Sequence, residues 1–218
     1  MKRRFIIALI LFLSLSTIIS QQKFTISKFD LKYIEIENNF LIKENDIKKL
    51  LASTYNRNLI LLKNKEIEEF LVQISFIESF KIKKKYPSTL KIEIFEKKPI
   101  AILIDKKKKF YLSEKIELIE FKHLPNYQNL PYVIGKQEKF KILYKDLLKI
   151  NFPFDIVKKY TLFEAGRWNF QTFNNRIIKL PSKNYLKSLE NYLSIRNKVN
   201  LKKYKVFDYR IDGQLILK

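Results

Sequence analysis

The stretch KKKYPSTLKIEIFEKKPIA, from Lys83 to Ala101, decides how the chain is read. After Pro87-Ser88, the apolar residues Leu90, Ile92 and Ile94 alternate with Lys91 and Glu93. That period of two describes a strand with one buried face. Pro87 pre-sets a turn, and Ile77–Tyr86 before it reads as a second strand, so the pair is a hairpin. Leu90, Ile92 and Ile94 are expected to face a core, and Lys83–Lys85 to be solvated beside the turn. Pro99-Ile100-Ala101 marks the passage into a second domain.

Working upstream, Asn64 is a plausible helix N-cap with acidic residues in the first turn, and Ile67, Phe70 and Leu71 share one face of the helix it opens. An earlier helix starts near Lys43, with Ile47, Leu50 and Leu51 at helical spacing. Phe29–Glu37 (FDLKYIEIE) is a strand, closed by a turn at Asn38-Asn39. The order is β-α-α-β-β, a three-stranded sheet with two helices on one face. Downstream, Ile100–Ile104, Phe110–Leu112, Lys115–Phe121, Leu130–Gly135, Thr161–Glu164, Trp168–Phe173 and Arg176–Leu180 are expected strands. Phe140–Ile150 and Ser182–Asn197 are expected helices, the latter with Tyr185, Leu186, Leu189 and Leu193 on one side. Tyr204–Ile211 and Gln214–Leu217 are strands meeting at Asp212-Gly213, a strong hairpin signal. The expected class is α+β: a β-α-α-β-β domain over residues 23–98, then a mainly antiparallel β domain with two helices over residues 99–218.

The first residues carry a different signal. Met1–Arg4 is a short basic tail, and Phe5–Ser20 contains no charge. Phe5, Ile6, Ile7, Leu9, Leu11, Phe12, Leu13 and Leu15 supply the apolar surface of an expected membrane helix over residues 5–22. The run is slightly short of a ~30 Å hydrocarbon core, a gap that snorkelling Lys and Arg can close. Ile18-Ile19-Ser20 fits a small-x-small cleavage site poorly, which favours a retained signal-anchor over a cleaved signal. Either way the basic end stays inside and the rest lies outside the cytoplasm. The absence of cysteine excludes disulfides and thiol chemistry.

A formal net charge of +22 raises nucleic acid as a partner. The charge is mostly lysine spread from end to end, and no helix-turn-helix, zinc-finger or single-strand-binding signature accompanies it, so nucleic acid is not expected as a partner. Weak attraction to anionic lipid is a better use for it. No catalytic constellation emerges. His123 is the one histidine and sits in a polar loop beside Pro125. Gly135, Gly166 and Gly213 are too far apart for a phosphate cradle, and Glu68-Glu69 lie on a helix surface. No catalytic, metal or cofactor site is expected.

Several stretches, taken in order, resemble the FtsQ/DivIB family of bacterial cell-division proteins. NLILLKNKEIEEFLVQISFIESFKIKKKYPSTLKIEIFEKKPIA (Asn58–Ala101) is similar to the family segment in which a helix leads to a hairpin with an aromatic-Pro turn, then an acidic residue and Pro-hydrophobic-Ala. LPYVIG (Leu130–Gly135) resembles its Leu-Pro-…-Gly loop. GRWNFQTFNNRIIKL (Gly166–Leu180) resembles its Arg-Trp strand and hairpin, and VFDYRIDGQLILK (Val206–Lys218) its closing Val-Asp-Leu-Arg strand. The chain departs from the pattern at Lys106–Lys109, where the family often carries Asp-Gly.

The resemblance implies a POTRA (polypeptide-transport-associated) first domain and a non-enzymatic scaffold of the inner membrane. It implies periplasmic domains, a place at the division septum, and coiled-coil partners like FtsB and FtsL among other divisome proteins. It further implies that the last strand pairs with a strand of an FtsB-like partner. The residues fit that role: Gln214-Leu215-Ile216-Leu217 has no proline and no charge, an edge suited to β-augmentation. Ile211, Gly213, Arg167 and Arg210 lie on or beside this sheet, and the arginines can meet partner carboxylates or make ordinary ion pairs. Two other classes stay open: a POTRA-bearing envelope assembly or translocation component, and a secreted carbohydrate-binding or enzyme module.

Overall fold

The computed structural model describes residues 7, 9, 12, 26–201, 203–211 and 213–218. The described parts of Met1–Glu37, with Glu44–Leu71 and Lys81–Glu93, form one compact unit. Asn38–Lys43, Val72–Phe80 and Ile94–Lys218 form another. Of the expected membrane residues, Ile7, Leu9 and Phe12 are helical and exposed. Phe5, Ile6, Leu11, Leu13 and Leu15 lie outside the described residues. Among those described, no helix is long and apolar enough to cross a membrane.

The β-α-α-β-β order is found: β1 (Tyr33–Glu37), α1 (Glu44–Leu50), α2 (Asn64–Leu71), β2 (Ile77–Lys85) and β3 (Thr89–Glu96). The sheet order is β1-β3-β2, with β1 parallel to β3 and Ile34 opposite Leu90. Leu90, Ile92 and Ile94 are fully buried, as are Ile47, Ile67 and Leu71. Phe70, expected on the same helix face, is only half-buried. α1 carries Glu44 and Asp46 in its first turn and Lys48 and Lys49 in its last, a charge order that complements the helix dipole. The outer sheet face is a ladder of ion pairs: Lys85–Glu35 at 2.7 Å, Lys91–Glu37 at 2.6 Å and Lys81–Glu93 at 3.7 Å. Lys85 holds the Glu35 carboxyl below its ordinary range, and Glu37 raises Lys91. Lys84, on the other face, donates to the carbonyl of Leu62. The lysines flanking the turn are thus partly spent inside the unit.

The second unit holds a nine-stranded sheet in the order β12-β11-β10-β9-β8-β7-β4-β5-β6. Its strands are β4 (Pro99–Asp105), β5 (Lys108–Ser113), β6 (Leu118–Glu120), β7 (Tyr132–Ile134), β8 (Val157–Leu162), β9 (Trp168–Thr172), β10 (Ile177–Lys179), β11 (Val206–Asp208) and β12 (Ile216–Leu217). Five of the eight pairings are antiparallel and three parallel. The sheet is therefore mixed, with antiparallel pairings in the majority. Two of the three parallel steps follow helical crossovers, α3 (Gln137–Lys149) before β8 and α4 (Tyr185–Ile195) before β11, and the third, β4 beside β7, is bridged by β5 and β6. Phe140, Leu143 and Leu147 of α3 join Leu189 and Tyr192 of α4 in one core with Val133, Tyr160, Phe170, Ile178 and Phe207.

The strand expected at Thr161–Glu164 begins instead at Val157. A register shift between Val157 and Lys159 breaks the two-residue alternation, so Val157 and Tyr160 both face the core. Gly135 closes β7 where a Cβ would lie 2.8 Å from Leu162 Cβ, so the glycine of LPYVIG is a close-approach residue. Asn175 turns β9 into β10 at φ 59°, as the Asn-Asn dipeptide predicts.

Glu96 is the acidic residue that follows the hairpin. Its carboxylate accepts the backbone N–H groups of Phe40, Leu41 and Ile42 at 3.1, 2.8 and 2.8 Å. Three otherwise unpaired donors share one anion. Glu96→Ala is expected to cost about 1–3 kcal/mol in urea unfolding, and Glu96→Gln less, because its amide oxygen still accepts. Gly135→Ala is expected to lower Tm by several degrees, because overpacking costs about 1–3 kcal/mol; thermal unfolding followed by circular dichroism measures it.

Candidate functional site

The end of the nine-stranded sheet gathers the residues singled out in the last third of the chain. Asn169 of β9 lies opposite Lys179 of β10, Lys179 beside Asp208 of β11, and Asp208 opposite Ile216 of β12. Arg167 precedes this row and Arg210 follows it, so the two arginines lie at the same end of the sheet with β10 between their strands. The Arg167 guanidinium stands 5.2 Å from the Phe163 ring centroid, and its Nε is buried without an acceptor. Arg210 is already engaged. Its Nε donates to Asp208 Oδ1 at 2.8 Å and its Nη2 to Oδ2 at 2.6 Å. Asp208 is 4% exposed, and the Arg210 hydrogen bond holds its carboxyl below the ordinary range.

Ile211 is not in a strand. The Tyr209 N–H bonds the Lys179 carbonyl, and Arg210 folds back onto Asp208, so the chain leaves β11 at once. β11 ends at Asp208 and β12 begins at Ile216, further apart than the tight two-residue turn expected. Asp212 lies outside the described residues, and Gly213 takes φ 70°.

β12 is the edge of the sheet. Leu215 and Leu217 pack against the core, while Gln214 and Ile216 are exposed. Val206 and Lys218 exchange N–H···O bonds of 3.1 and 2.9 Å, which makes them a hydrogen-bonded pair. By the antiparallel alternation the backbone groups of Ile216 then also face β11, and those of Leu217 and Leu215 point outward. Among the described residues no strand meets them.

Beside this edge lies a groove of about 800 Å³ lined by Asp146, Tyr185, Asn191, Tyr209, Ile211 and Leu215, among others. The Tyr185 hydroxyl donates to Asp146 at 2.5 Å and the Tyr209 hydroxyl to Asn191 at 2.9 Å. Burial raises both phenols, Tyr185 further through its carboxylate acceptor, so both remain protonated donors. Lys149 and Tyr185 lower Asp146. Sequence reasoning missed this groove, because Tyr185 reads only as one apolar position of a helix and no motif singles out Asp146.

Comparison with known proteins gives this arrangement a context. The family profile described as "POTRA domain, FtsQ-type" matches residues 29–97, so the first unit centres on a POTRA domain. The Cell division protein FtsQ of Rickettsia bellii is 29% identical over 189 residues, covering 84% of this chain and 69% of that protein. FtsQ of Rickettsia typhi is 27% identical over 187 residues, with 84% and 70% covered. A solved structure of the major extracytoplasmic domain of DivIB from Geobacillus stearothermophilus is 15% identical at a TM-score of 0.34, covering 50% of this chain and 98% of that one; that looser likeness carries no argument. Over most of its length the chain is thus similar to bacterial cell-division proteins named FtsQ, and it carries an FtsQ-type POTRA domain.

The Asp208–Arg210 pair makes a pH-dependent prediction. A carboxyl whose folded pKa is depressed stabilises the fold above its unfolded pKa of about 4 and loses that contribution as pH falls through the folded value. Asp208→Asn should therefore be less stable than the parent chain at pH 7, and the difference should shrink at pH 3. Urea midpoints at the two pH values measure it.

Proposed function

We propose that the chain is a non-enzymatic scaffold of the bacterial division machinery that recruits FtsB- and FtsL-like partners to the septum by β-augmentation on β12. The observation that carries this reading is the open outer edge of β12, with the outward backbone groups of Leu215 and Leu217 flanked by the groove. An added strand gains affinity from those groups and specificity from side chains that alternate between the groove and solvent. Gly213 and Gln214 leave the approach free of bulk, and Ile211 and Ile216 offer apolar contact. Arg167, with an unsatisfied buried Nε, suits a partner carboxylate; Arg210, held by Asp208, presents a fixed positive edge.

In this reading Phe5–Gln22 is a retained single-pass anchor in the inner membrane. Met1–Arg4 lies in the cytoplasm, with the POTRA-like domain (23–98) and the C-terminal domain (99–218) in the periplasm. The first domain serves recruitment to the septum.

Leu217 separates backbone from side chain. Leu217→Pro removes an outward N–H and should weaken co-purification with the FtsB-like partner by tenfold or more. Leu217→Ala keeps the N–H and should bind within a few-fold of the parent chain. Equal binding by both variants, with the domain folded by circular dichroism, would rule out edge pairing.

A further inference from the structure

The opposite end of the same strands carries a second arrangement. Arg176 follows the Asn174-Asn175 turn and leads into β10. It is 9% exposed. Its Nη1 donates to the carbonyl of Arg196, just past the last turn of α4, at 2.8 Å. Its guanidinium carbon stands 5.5 Å from the centroid of the Phe207 ring. No carboxylate of the described residues forms an ion pair with it. A buried cation ordinarily has an anionic partner, because desolvating it alone is costly. A carbonyl and an aromatic face offset only part of that cost.

A pocket of about 240 Å³ opens here, and Thr172, Phe173, Asn174, Arg176, Arg196 and Asn197 line it with Ile156 and Tyr192. Two arginines and two asparagines line it, with no acid among the lining residues. The turn is fixed: Thr172 Oγ1 donates to Asn174 Oδ1 at 2.5 Å and accepts from the Arg176 N–H at 3.0 Å. Phe173 is 51% exposed beside the pocket.

We propose that this pocket docks one carboxylate side chain from an extended segment of a partner protein, with an apolar neighbour of that residue resting on Phe173. The volume falls below the roughly 300–1,000 Å³ of small-molecule sites and suits a single side chain. A planar guanidinium that has spent one nitrogen on a carbonyl still presents a fork matched to a two-oxygen acceptor. The C-terminus of α4, carrying about half a negative charge, repels a phosphate dianion more strongly than a carboxylate monoanion. The pocket lies at the far end of β9 and β10 from Arg167.

The test uses the full-length ¹⁵N-labelled chain in detergent micelles, titrated with a blocked peptide holding one glutamate beside a phenylalanine. Saturable shifts are expected at the Arg176 Nε–H and at the Asn174 and Asn197 amides. The glutamine counterpart and inorganic phosphate should bind at least fivefold more weakly. Arg196→Gln, at a half-buried position, should keep the fold and weaken the glutamate peptide at least fivefold. No saturable shift, equal response to phosphate, or unchanged binding in folded Arg196→Gln each overturns the proposal.

Discussion

A peptide group taken out of water needs a hydrogen-bond partner, and that requirement organises both units. Where the secondary structure runs out of partners, side chains supply them. Glu96 accepts three consecutive N–H groups of residues 40–42, Lys84 donates to a loop carbonyl after α1, and Arg176 donates to the carbonyl just beyond α4. Each of these long, charged side chains is bent to a local task. Against that pattern, the outer backbone of β12 stands out as a row of polar groups that no described residue serves. Natural edges are usually blunted by charge, proline or a covering element. β2 follows the rule, with Lys81, Lys83 and Lys85 exposed along it, whereas β12 presents Ile216 and Gln214.

The alternation around Leu90 made the hairpin and the first unit legible, because side-chain period maps directly onto burial where a strand is regular. It failed where the strand is irregular. The bulge at Val157–Lys159 puts two core residues three positions apart with two lysines between them, so the segment shows no two-residue alternation. The mixed character of the large sheet was also hidden, since parallel neighbours such as β7 and β8 are distant in sequence and no local signal states who pairs with whom. In α4 the apolar face was read through Leu186 and Leu193, yet Tyr192 is the residue buried with Leu189; a tyrosine's polar tip makes its helical phase ambiguous.

The edge was readable as a strand without charge, and the two arginines as candidates beside it. What the sequence could not supply was their state. Arg210 is two residues from Asp208, a spacing that on a regular strand points both side chains to one face and here lets the fork close on a buried carboxylate. The groove was invisible because it is made jointly by α4 and the 209–215 connection, elements whose proximity depends on the parallel β10–β11 pairing.

The composition gives this placement more weight. The chain carries 44 lysines and arginines, and only seven are arginine. Beyond Arg3 and Arg4, Arg57 pairs with Glu66 at 2.7 Å, and the remaining four flank the strands of one sheet. Arg167 and Arg210 stand at one end of its strands; Arg176 and Arg196 meet at the opposite end. Lysine suffices for the exposed ladder across β1, β3 and β2, where a flexible point charge in water contributes little and costs little. A rigid fork is needed where a cation is desolvated and must meet a planar acceptor. In a protein saturated with lysine, overall charge says little about partners, and the few arginines mark the places where the geometry of a positive group matters.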